Sequence, residues 1–346
     1  MLYRKNMKIC ISKIDRMGDM VLTLPVIKAI KIKNPIFKIY VLASHRNAKV
    51  LENLSYIDKI FIIDTNSIIK TIFKKLFIIR KCNFDFYINF SPTFLSYFFC
   101  YFSNAKKNAT LIFLSRYKKF IYSKLLIRIL SKIFCNYVHT INRYVKLKKN
   151  EDIHQTKMMF DLIKICQISC DNNTSTEISL PKEKLNLVDV NKYLITIHLT
   201  ERWINRYYSE ENFLELIQLL PKNKYRYVLT TDFSTINKFN KIYNNFNIIN
   251  NKNLAFINKL KDNITILDNL NYKNWLKVIY ASKQVITPEC GILHIAAACK
   301  VPVIIIYDSD YYPDAMHTEY HPWKSKHKKL VSNDVELNKK ILNNLI

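Results

Sequence analysis

The chain has 346 residues, of which 49% are hydrophobic and 13% aromatic, so it can bury substantial cores and is not a disordered polypeptide. Its 54 Lys and Arg against 27 Asp and Glu give a formal charge of +27, which favours anionic partners. At about 100–200 residues for each domain, the length predicts two domains.

The eight cysteines show no CxxC pair and no companion histidine at a metal-ligand spacing. We therefore expect no structural zinc and a reducing, cytoplasmic environment. The amino-terminal residues lack the apolar core of a signal peptide. The most membrane-like stretch, residues 84–102, is interrupted by Asp85, Asn89 and Pro92, so we expect no transmembrane segment.

The first half of the chain alternates short β-branched or aromatic runs with longer helical patterns. This alternation predicts βαβ units and a parallel sheet. The predicted strands are residues 7–14, 37–43, 60–63 and 84–89, and the predicted helices are residues 20–33, 122–138 and, as a broader helical region, 139–168.

Residues 171–191 are polar and contain a proline, which is typical of a linker. A second alternating set follows, so the sequence predicts two α/β domains, residues 1–180 and 181–346, with the option that the C-terminal helix packs back on the first. In the second set the predicted strands are 193–198, 225–231, 284–287 and 301–307, and the predicted helices are 209–220, 271–282 and 292–299.

Basic residues are concentrated in the first half. Between Asp85 and Glu151 there is no acidic residue, while twelve Lys or Arg lie among many aromatic residues. A codon bias that favours lysine would raise the basic content of both halves alike, so it does not explain this asymmetry. The asymmetry instead favours binding to nucleic acid or to an anionic membrane. The helical spacing of apolar residues in 122–138, with Lys124, Arg128 and Lys132 on another face, favours the membrane. An ordinary surface helix packed on its own domain is the alternative.

The chain has only two glycines, Gly18 and Gly291, and each lies at a strand-to-helix junction of one half. Ligands of α/β folds bind beyond the carboxyl ends of the strands, so the two junctions predict a cleft between the halves. Asp19 follows Gly18 and is either a helix N-cap or a general base. The helix after Gly291 has an amino end suited to an anion, while His294 within it is either a ligand or a satisfied core histidine.

Three segments carry a family resemblance. RMGDMVLTLPVIKAIKIKNP resembles the amino-terminal signature of glycosyltransferase family nine, the ADP-heptose:lipopolysaccharide heptosyltransferases. PECGILHIAAACKVPVIIIYD resembles the donor motif of that family, and IHLTERWINRYYSEENFLELIQLL is similar to its mid-chain segment. The resemblance implies a GT-B architecture, in which two Rossmann-like domains with parallel sheets face a central cleft. It also implies an inverting transfer that needs no metal or other cofactor.

The resemblance also implies roles for single residues. Asp19 matches the catalytic base, with Lys13 and Gly18 on the acceptor side. The phosphate-contacting lysine of the family falls on Arg206, or on Asn205 if a one-residue insertion lies elsewhere. The remaining donor-side residues are Glu289, Cys290, Gly291 and His294. The family's usual Asp and Thr are Glu289 and Cys290 here, which leaves the nucleotide and the sugar open.

The partners implied are a nucleotide sugar, a lipopolysaccharide-type acceptor and the inner face of the cytoplasmic membrane, contacted through the basic residues within 86–150. Nucleic acid is not expected, because no recognisable nucleic-acid motif accompanies the charge. Two alternatives stay open. One is a related glycosyltransferase with another nucleotide sugar, and the other is a non-catalytic protein that binds nucleic acid or an anionic surface.

Overall fold

A computed structural model describes most of the chain, in ten separate stretches. These are residues 6–64, 69–114, 125–149, 151–182, 192–201, 203, 209–231, 235, 239–251 and 263–346. Six residues named or counted in the sequence analysis lie outside the described residues: Arg116, Lys118, Lys119, Lys124, Asn205 and Arg206.

The first compact unit consists of Met1–Ser179 and Thr318–Tyr320. It contains a six-stranded sheet in the order β3-β2-β1-β4-β5-β6, in which all pairings are parallel. This is the strand order of the doubly wound Rossmann fold. The strands are β1 (Lys8–Lys13), β2 (Lys38–Ser44), β3 (Lys59–Ile63), β4 (Phe86–Asn89), β5 (Lys107–Leu114) and β6 (Tyr137–Asn142).

Helices cover both faces of this sheet. The chain leaves β1 in one direction along the sheet and β4 in the other, and right-handed crossovers then place the connecting helices on opposite faces. The helices are α1 (Met17–Lys33), α2 (Ile69–Lys81), α3 (Phe94–Phe102), α4 (Leu125–Phe134), α5 (Arg143–Lys148) and α6 (Gln155–Ile165). Accordingly α1 contacts α6, whereas α3 contacts both α2 and α4.

The sequence prediction differs from this unit in several places, and helices α2 and α3 are among the elements that it did not include. Residues 137–142 form β6 instead of continuing a helix, because Val138, Thr140 and Ile141 are β-branched and pair with β5. Strand β5 itself was not predicted. Helix α1 begins at Met17 instead of residue 20, so Gly18 and Asp19 lie inside its first turn.

The second unit consists of Leu180–His317 and His321–Ile346. Its seven-stranded parallel sheet has the order β13-β12-β11-β7-β8-β10-β9. The strands are β7 (Tyr193–His198), β8 (Tyr225–Thr231), β9 (Asn247–Ile249), β10 (Ile264–Asp268), β11 (Gln284–Pro288), β12 (Val303–Tyr307) and β13 (His327–Val331). The helices are α7 (Glu210–Leu219), α8 (Asn240–Asn245), α9 (Tyr272–Ala281), α10 (Ile292–Ala298), α11 (Pro313–Tyr320) and α12 (Leu337–Asn343). The last three residues of α11, Thr318–Tyr320, belong to the first unit.

The strands and helices predicted for this half are confirmed with small shifts of their ends, and the predicted parallel sheet is confirmed. Ser209 caps α7 by accepting a hydrogen bond from the Asn212 amide, which explains why the helix begins there. Strands β9, β10 and β13 were not predicted. The C-terminal helix, α12, contacts α7 and β13 of its own unit.

Among the helices in the described stretches, none combines the length and the apolar composition that a bilayer crossing requires. Within those same stretches, no group of three or more His, Cys, Asp or Glu is arranged to hold a metal ion. None of the eight cysteines, all of which are described, forms a disulfide.

A buried asparagine holds the loop between β1 and α1 in place. Asn47 follows β2, and its Nδ2 donates to the Lys13 carbonyl at 2.9 Å and to the Asp15 carbonyl at 3.3 Å. Its Oδ1 accepts from the Ser44 amide at 2.9 Å. One side chain thus fixes the β1–α1 loop to the carboxyl end of β2.

We expect Asn47→Ala to lower the free energy of unfolding by about 2–4 kcal/mol, because it leaves several buried backbone groups without their side-chain partner. Denaturant unfolding measures this loss. Asn136→Ala is the matched control, since Asn136 is exposed and accepts one backbone hydrogen bond, from Asn108. Equal losses in the two variants would contradict the role of Asn47.

Candidate functional site

The order of the first sheet reverses between β1 and β4, which makes the carboxyl ends of these strands the expected ligand crevice. The loops that follow the two strands are hydrogen-bonded to each other. The Ile14 amide donates to Ser91 Oγ at 2.8 Å, and Lys13 Nζ donates to the Phe90 carbonyl at 3.2 Å. The crevice therefore has a fixed polar floor.

A buried ion pair lies in this floor. Lys13 Nζ is 2.7 Å from Asp15 Oδ2, and the Lys13 side chain is only 3% exposed. Burial lowers the Lys13 pKa, but the charges of Asp15 and Asp19 and the hydrogen bond to Asp15 outweigh it, and the pKa is raised. Lys13 is thus a permanent cation beside Asp19. Asp15 Oδ1 has no hydrogen-bond partner in the described part of the chain.

Asp19 is the third residue of α1 and is partly buried. Arg16 occupies the N-cap position, so the N-cap alternative for Asp19 is wrong. The backbone N–H and the charge of Arg16 instead favour the ionised form of Asp19, and both lower its pKa. Burial raises the Asp19 pKa, Lys13 opposes this, Asp15 adds to it, and the pKa is raised overall. Asp19 is therefore a stronger base than an ordinary aspartate.

Neither glycine is needed for a left-handed turn, because no glycine has a positive φ. Gly18 is buried within the first turn of α1. Gly291 is the N-cap of α10 at φ −61° and ψ −29°, a conformation open to any residue. At both positions the start of a helix carries no side chain, which leaves space beside the backbone.

Arg143 was counted only as one basic residue among twelve, yet it is part of this edge of the sheet. It begins α5 directly after β6, and its charge acts on Lys13. Its guanidinium lies 2.6 Å from Glu319 Oε1 and 4.5 Å from the centre of the Phe113 ring. Gln155 Nε2 donates to the same Glu319 oxygen at 2.6 Å, which fixes the position of the carboxylate.

In the second sheet the strand order reverses between β7 and β11. Ile197 pairs with Ile286, so the next residues in register are His198 and Thr287, at the carboxyl ends of the two strands. His198 Nδ1 is 2.9 Å from Thr230 Oγ1, and Trp203 Nε1 donates to the His198 carbonyl at 2.6 Å. These bonds hold the end of β7 beside the predicted donor motif.

Four predicted donor-side residues follow β11 in one segment. The partly buried Glu289 donates its amide hydrogen to the Ile306 carbonyl at 3.0 Å, and Cys290 Sγ lies 3.2 Å from Thr287 Oγ1. Gly291 then caps α10, in which His294 is buried. Because Asn205 and Arg206 lie outside the described residues, the described part of the predicted donor site is this β11–α10 segment together with the end of β7.

The sequence reasoning thus placed Lys13, Gly18 and Asp19 together but missed several of their neighbours. Asp15 could have been predicted, since it is an acidic residue two positions after Lys13 in the same segment. Ser91, Asn47 and Arg143 reach the site from β4, β2 and β6, so only the order of the strands brings them in.

The protein-family model Glycosyltransferase family 9 (heptosyltransferase) matches residues 72–342, which is more than half of the chain. The matched range begins after the β1–α1 segment and includes Glu289, Cys290, Gly291 and His294. No curated protein sequence matches the chain significantly.

Solved structures resemble the whole chain at low sequence identity. A family 9 glycosyltransferase from Veillonella parvula has a TM-score of 0.72 at 14% identity, covering 98% of this chain and 90% of that one. The E. coli heptosyltransferase WaaC, solved with ADP, has a TM-score of 0.68 at 17% identity, covering 97% and 98%. E. coli ADP-heptose lps heptosyltransferase II has a TM-score of 0.66 at 14% identity, covering 97% of each chain.

These similarities confirm the predicted fold class of two Rossmann-like, parallel-sheet domains of the GT-B type. The structural likeness establishes the fold, and the family model establishes the relationship. The chain belongs to glycosyltransferase family 9, the heptosyltransferase family.

Proposed function

We propose that this glycosyltransferase moves a heptose from ADP-heptose to a hydroxyl group of a lipopolysaccharide acceptor of the lipid A–Kdo or core type. The observation that carries the proposal is the Asp19 carboxylate, which has a raised pKa and lies at the switch point of the first sheet. A base in this crevice suits an acceptor hydroxyl, because that hydroxyl must lose its proton as it attacks.

In this mechanism Asp19 takes the proton of the acceptor hydroxyl. The oxygen attacks the anomeric carbon of the heptose from the side opposite the diphosphate, and the bond between that carbon and the diphosphate oxygen breaks. The products are the glycoside with inverted anomeric configuration and ADP. Lys13 remains protonated throughout, and it keeps the pKa of Asp19 from rising further. Asp15 fixes Lys13 in place through their ion pair.

The donor binds the second unit in this proposal. Arg206, or Asn205 in the other alignment, neutralises the departing diphosphate together with the backbone N–H groups around Gly291, and no metal or other cofactor takes part. The names of the similar structures support the nucleotide, since WaaC was solved with ADP and heptosyltransferase II is named for ADP-heptose. Glu289 and Cys290 replace the usual family residues, so another nucleotide sugar is the alternative donor.

The proposed acceptor is lipid-linked, so we place the protein in the cytoplasm, peripheral to the inner face of the cytoplasmic membrane. The basic residues within 86–150 would provide the attraction to anionic lipid. The alternative of a non-catalytic nucleic-acid or surface binder is set aside, because the chain belongs to an enzyme family.

A donor screen tests the reaction. The full chain is incubated with a lipid A–Kdo acceptor and each of a panel of nucleotide sugars, and release of the nucleoside diphosphate is measured with and without EDTA. ADP release with ADP-heptose that is insensitive to EDTA, and a product with inverted configuration by NMR, are expected. Faster turnover of another nucleotide sugar would overturn the donor, and retained configuration would overturn the mechanism.

We expect Asp19→Asn to lower turnover at saturating donor by a factor of about 10² or more, because the amide cannot accept the proton. Donor affinity, measured by calorimetry with ADP, should be unchanged. Asp161→Asn is the matched control, because Asp161 is a partly buried carboxylate paired with Lys157 on α6. Near-normal turnover of Asp19→Asn would show that another group is the base.

The same variant makes a prediction about stability. Because the folded pKa of Asp19 is raised, the protonated form stabilises the fold at low pH, and this contribution is lost as the pH rises through the folded pKa. At neutral pH the wild type therefore contains a partly desolvated carboxylate, which costs stability. We expect Asp19→Asn to unfold at a higher temperature than the wild type at pH 7, and the difference to vanish below about pH 4. A less stable variant at pH 7 would show that the attraction to Lys13 dominates.

Substitutions of Gly291 test whether the β11–α10 segment binds the donor. The backbone conformation of Gly291 is open to any residue, so Gly291→Ala and Gly291→Val should fold normally, and their effects report on the space that a donor requires. We expect the dissociation constant for ADP to rise in the order glycine, alanine, valine, by about tenfold or more for valine. Ala297→Val, at a partly exposed position of the same helix, is the control. Unchanged ADP affinity in Gly291→Val would remove this segment from the donor site.

A further inference from the structure

One face of the first unit exposes large apolar side chains on three neighbouring helices. On α4 most of the apolar residues that recur at helical spacing are exposed, and Ser131 is the only fully buried residue of that helix. The helix also contacts α3, β5 and β6 of its own unit, so the exposed residues are those that this packing leaves uncovered. The exposed residues are Ile69, Phe73, Phe77 and Ile78 on α2, Phe94 and Phe102 on α3, and Leu125, Leu126, Ile129, Ile133 and Phe134 on α4. We call this the α2–α4 face.

The α2–α4 face is continuous. A row of aromatic contacts runs across it from Phe73 on α2 through Phe98 and Phe102 on α3 to Phe134 on α4, with ring centres 5.7, 5.1 and 5.7 Å apart. Contiguous apolar surface of this kind marks an interaction site, whereas exposed apolar residues scattered one by one do not.

The charge of the face has one sign. The three helices contain no Asp or Glu, and their basic residues are Lys70, Lys74, Lys75, Arg80 and Lys81 on α2 and Arg128 and Lys132 on α4. Lys81 Nζ lies 4.4 Å from the centre of the Phe77 ring, so basic and aromatic groups are interleaved. Five of the seven basic residues precede the 86–150 stretch on which the sequence prediction rested.

This chemistry distinguishes between possible occupants. Two copies of the chain would bring like charges together at such an interface, which disfavours self-association. Nucleic acid would satisfy the charges but leave aliphatic side chains such as Leu126 and Ile133 in water. An anionic bilayer satisfies both, because headgroups attract the basic residues while apolar side chains enter the acyl boundary.

We propose that the α2–α4 face docks on an anionic lipid bilayer by inserting its apolar side chains, instead of adhering through charge alone. Helices α2, α3 and α4 all begin at the carboxyl edge of the first sheet, where Lys13 and Asp19 lie. A bilayer on this face thus adjoins the crevice that receives the acceptor. Only this last consequence rests on the proposed function.

Vesicle sedimentation tests the proposal without donor or acceptor. The full chain is mixed with phosphatidylcholine vesicles with and without about 30% phosphatidylglycerol, at ionic strengths of about 0.05 M and about 0.5 M. We expect binding to the anionic vesicles that weakens with salt but persists at the higher ionic strength. Complete loss at the higher ionic strength would reduce the face to an electrostatic contact and overturn the insertion.

Three variants separate the two contributions. In the apolar variant, Phe77→Ser, Leu126→Ser and Ile133→Ser, we expect partitioning to fall about tenfold or more at both ionic strengths. In the charge variant, Lys74→Gln, Arg128→Gln and Lys132→Gln, we expect a fall of about fivefold per residue, or about a hundredfold in all, at the lower ionic strength only. The control variant, Leu219→Ser, Ile248→Ser and Val335→Ser, removes equally exposed apolar residues from the second unit and should bind as the wild type does.

Three further results would overturn the docking proposal. Wild-type binding by the apolar variant, or an equal loss in the control variant, would overturn the proposal. So would a wild-type dimer that the apolar variant dissociates in analytical ultracentrifugation while vesicle binding stays unchanged, because the occupant would then be a second copy. Transfer to a soluble acceptor, measured in parallel, keeps the two proposals distinct. If it persists while vesicle binding fails, only the docking surface is wrong, and the reverse result removes only the proposed reaction.

Discussion

The buried Lys13 ammonium is the charge around which the carboxyl edge of the first sheet is built. An ammonium withdrawn from water must be paired and hydrogen-bonded, and here Asp15 and the Phe90 carbonyl meet that requirement. The first of these partners fixes the loop after β1, and the second ties that loop to the end of β4. The positions of Gly18 and Asp19 at the start of α1 follow from that loop, so the crevice depends on one desolvated cation.

The division of roles between the two aspartates follows from the same cation. Asp15 makes the direct ion pair, while Asp19 interacts with Lys13 through its charge and retains a raised pKa. Two carboxylates four residues apart are thus placed in different environments, and in the proposed mechanism Asp15 is structural while Asp19 reacts. A fold selected for stability alone would place a neutral side chain at position 19.

The sequence predicted those elements whose residue types and tertiary environment agree. Strands β7, β8 and β11 are runs of β-branched and aromatic residues, and Ser209 and Asn271 cap the helices that were predicted to start near them. Residues 137–142 were predicted to be helical because the apolar residues on either side of them recur at helical spacing. Only their pairing with β5 shows that they form a strand. Within the site, Lys13 and Asp19 could be predicted because both lie on one short segment. Asn47, Ser91 and Arg143 could not, since they join that segment only through the strand order.

The α2–α4 face has a consequence for the molecule before it meets any membrane. Exposed apolar surface promotes association between protein molecules. The exposed Phe, Ile and Leu side chains of this face would therefore favour aggregation unless a repulsive force opposed it. The lysines and arginines on these helices, which themselves contain no acidic residue, provide that opposition through mutual repulsion. Elsewhere in the chain, a biased codon usage is enough to explain the abundance of lysine. On this face the lysines also oppose aggregation of the protein.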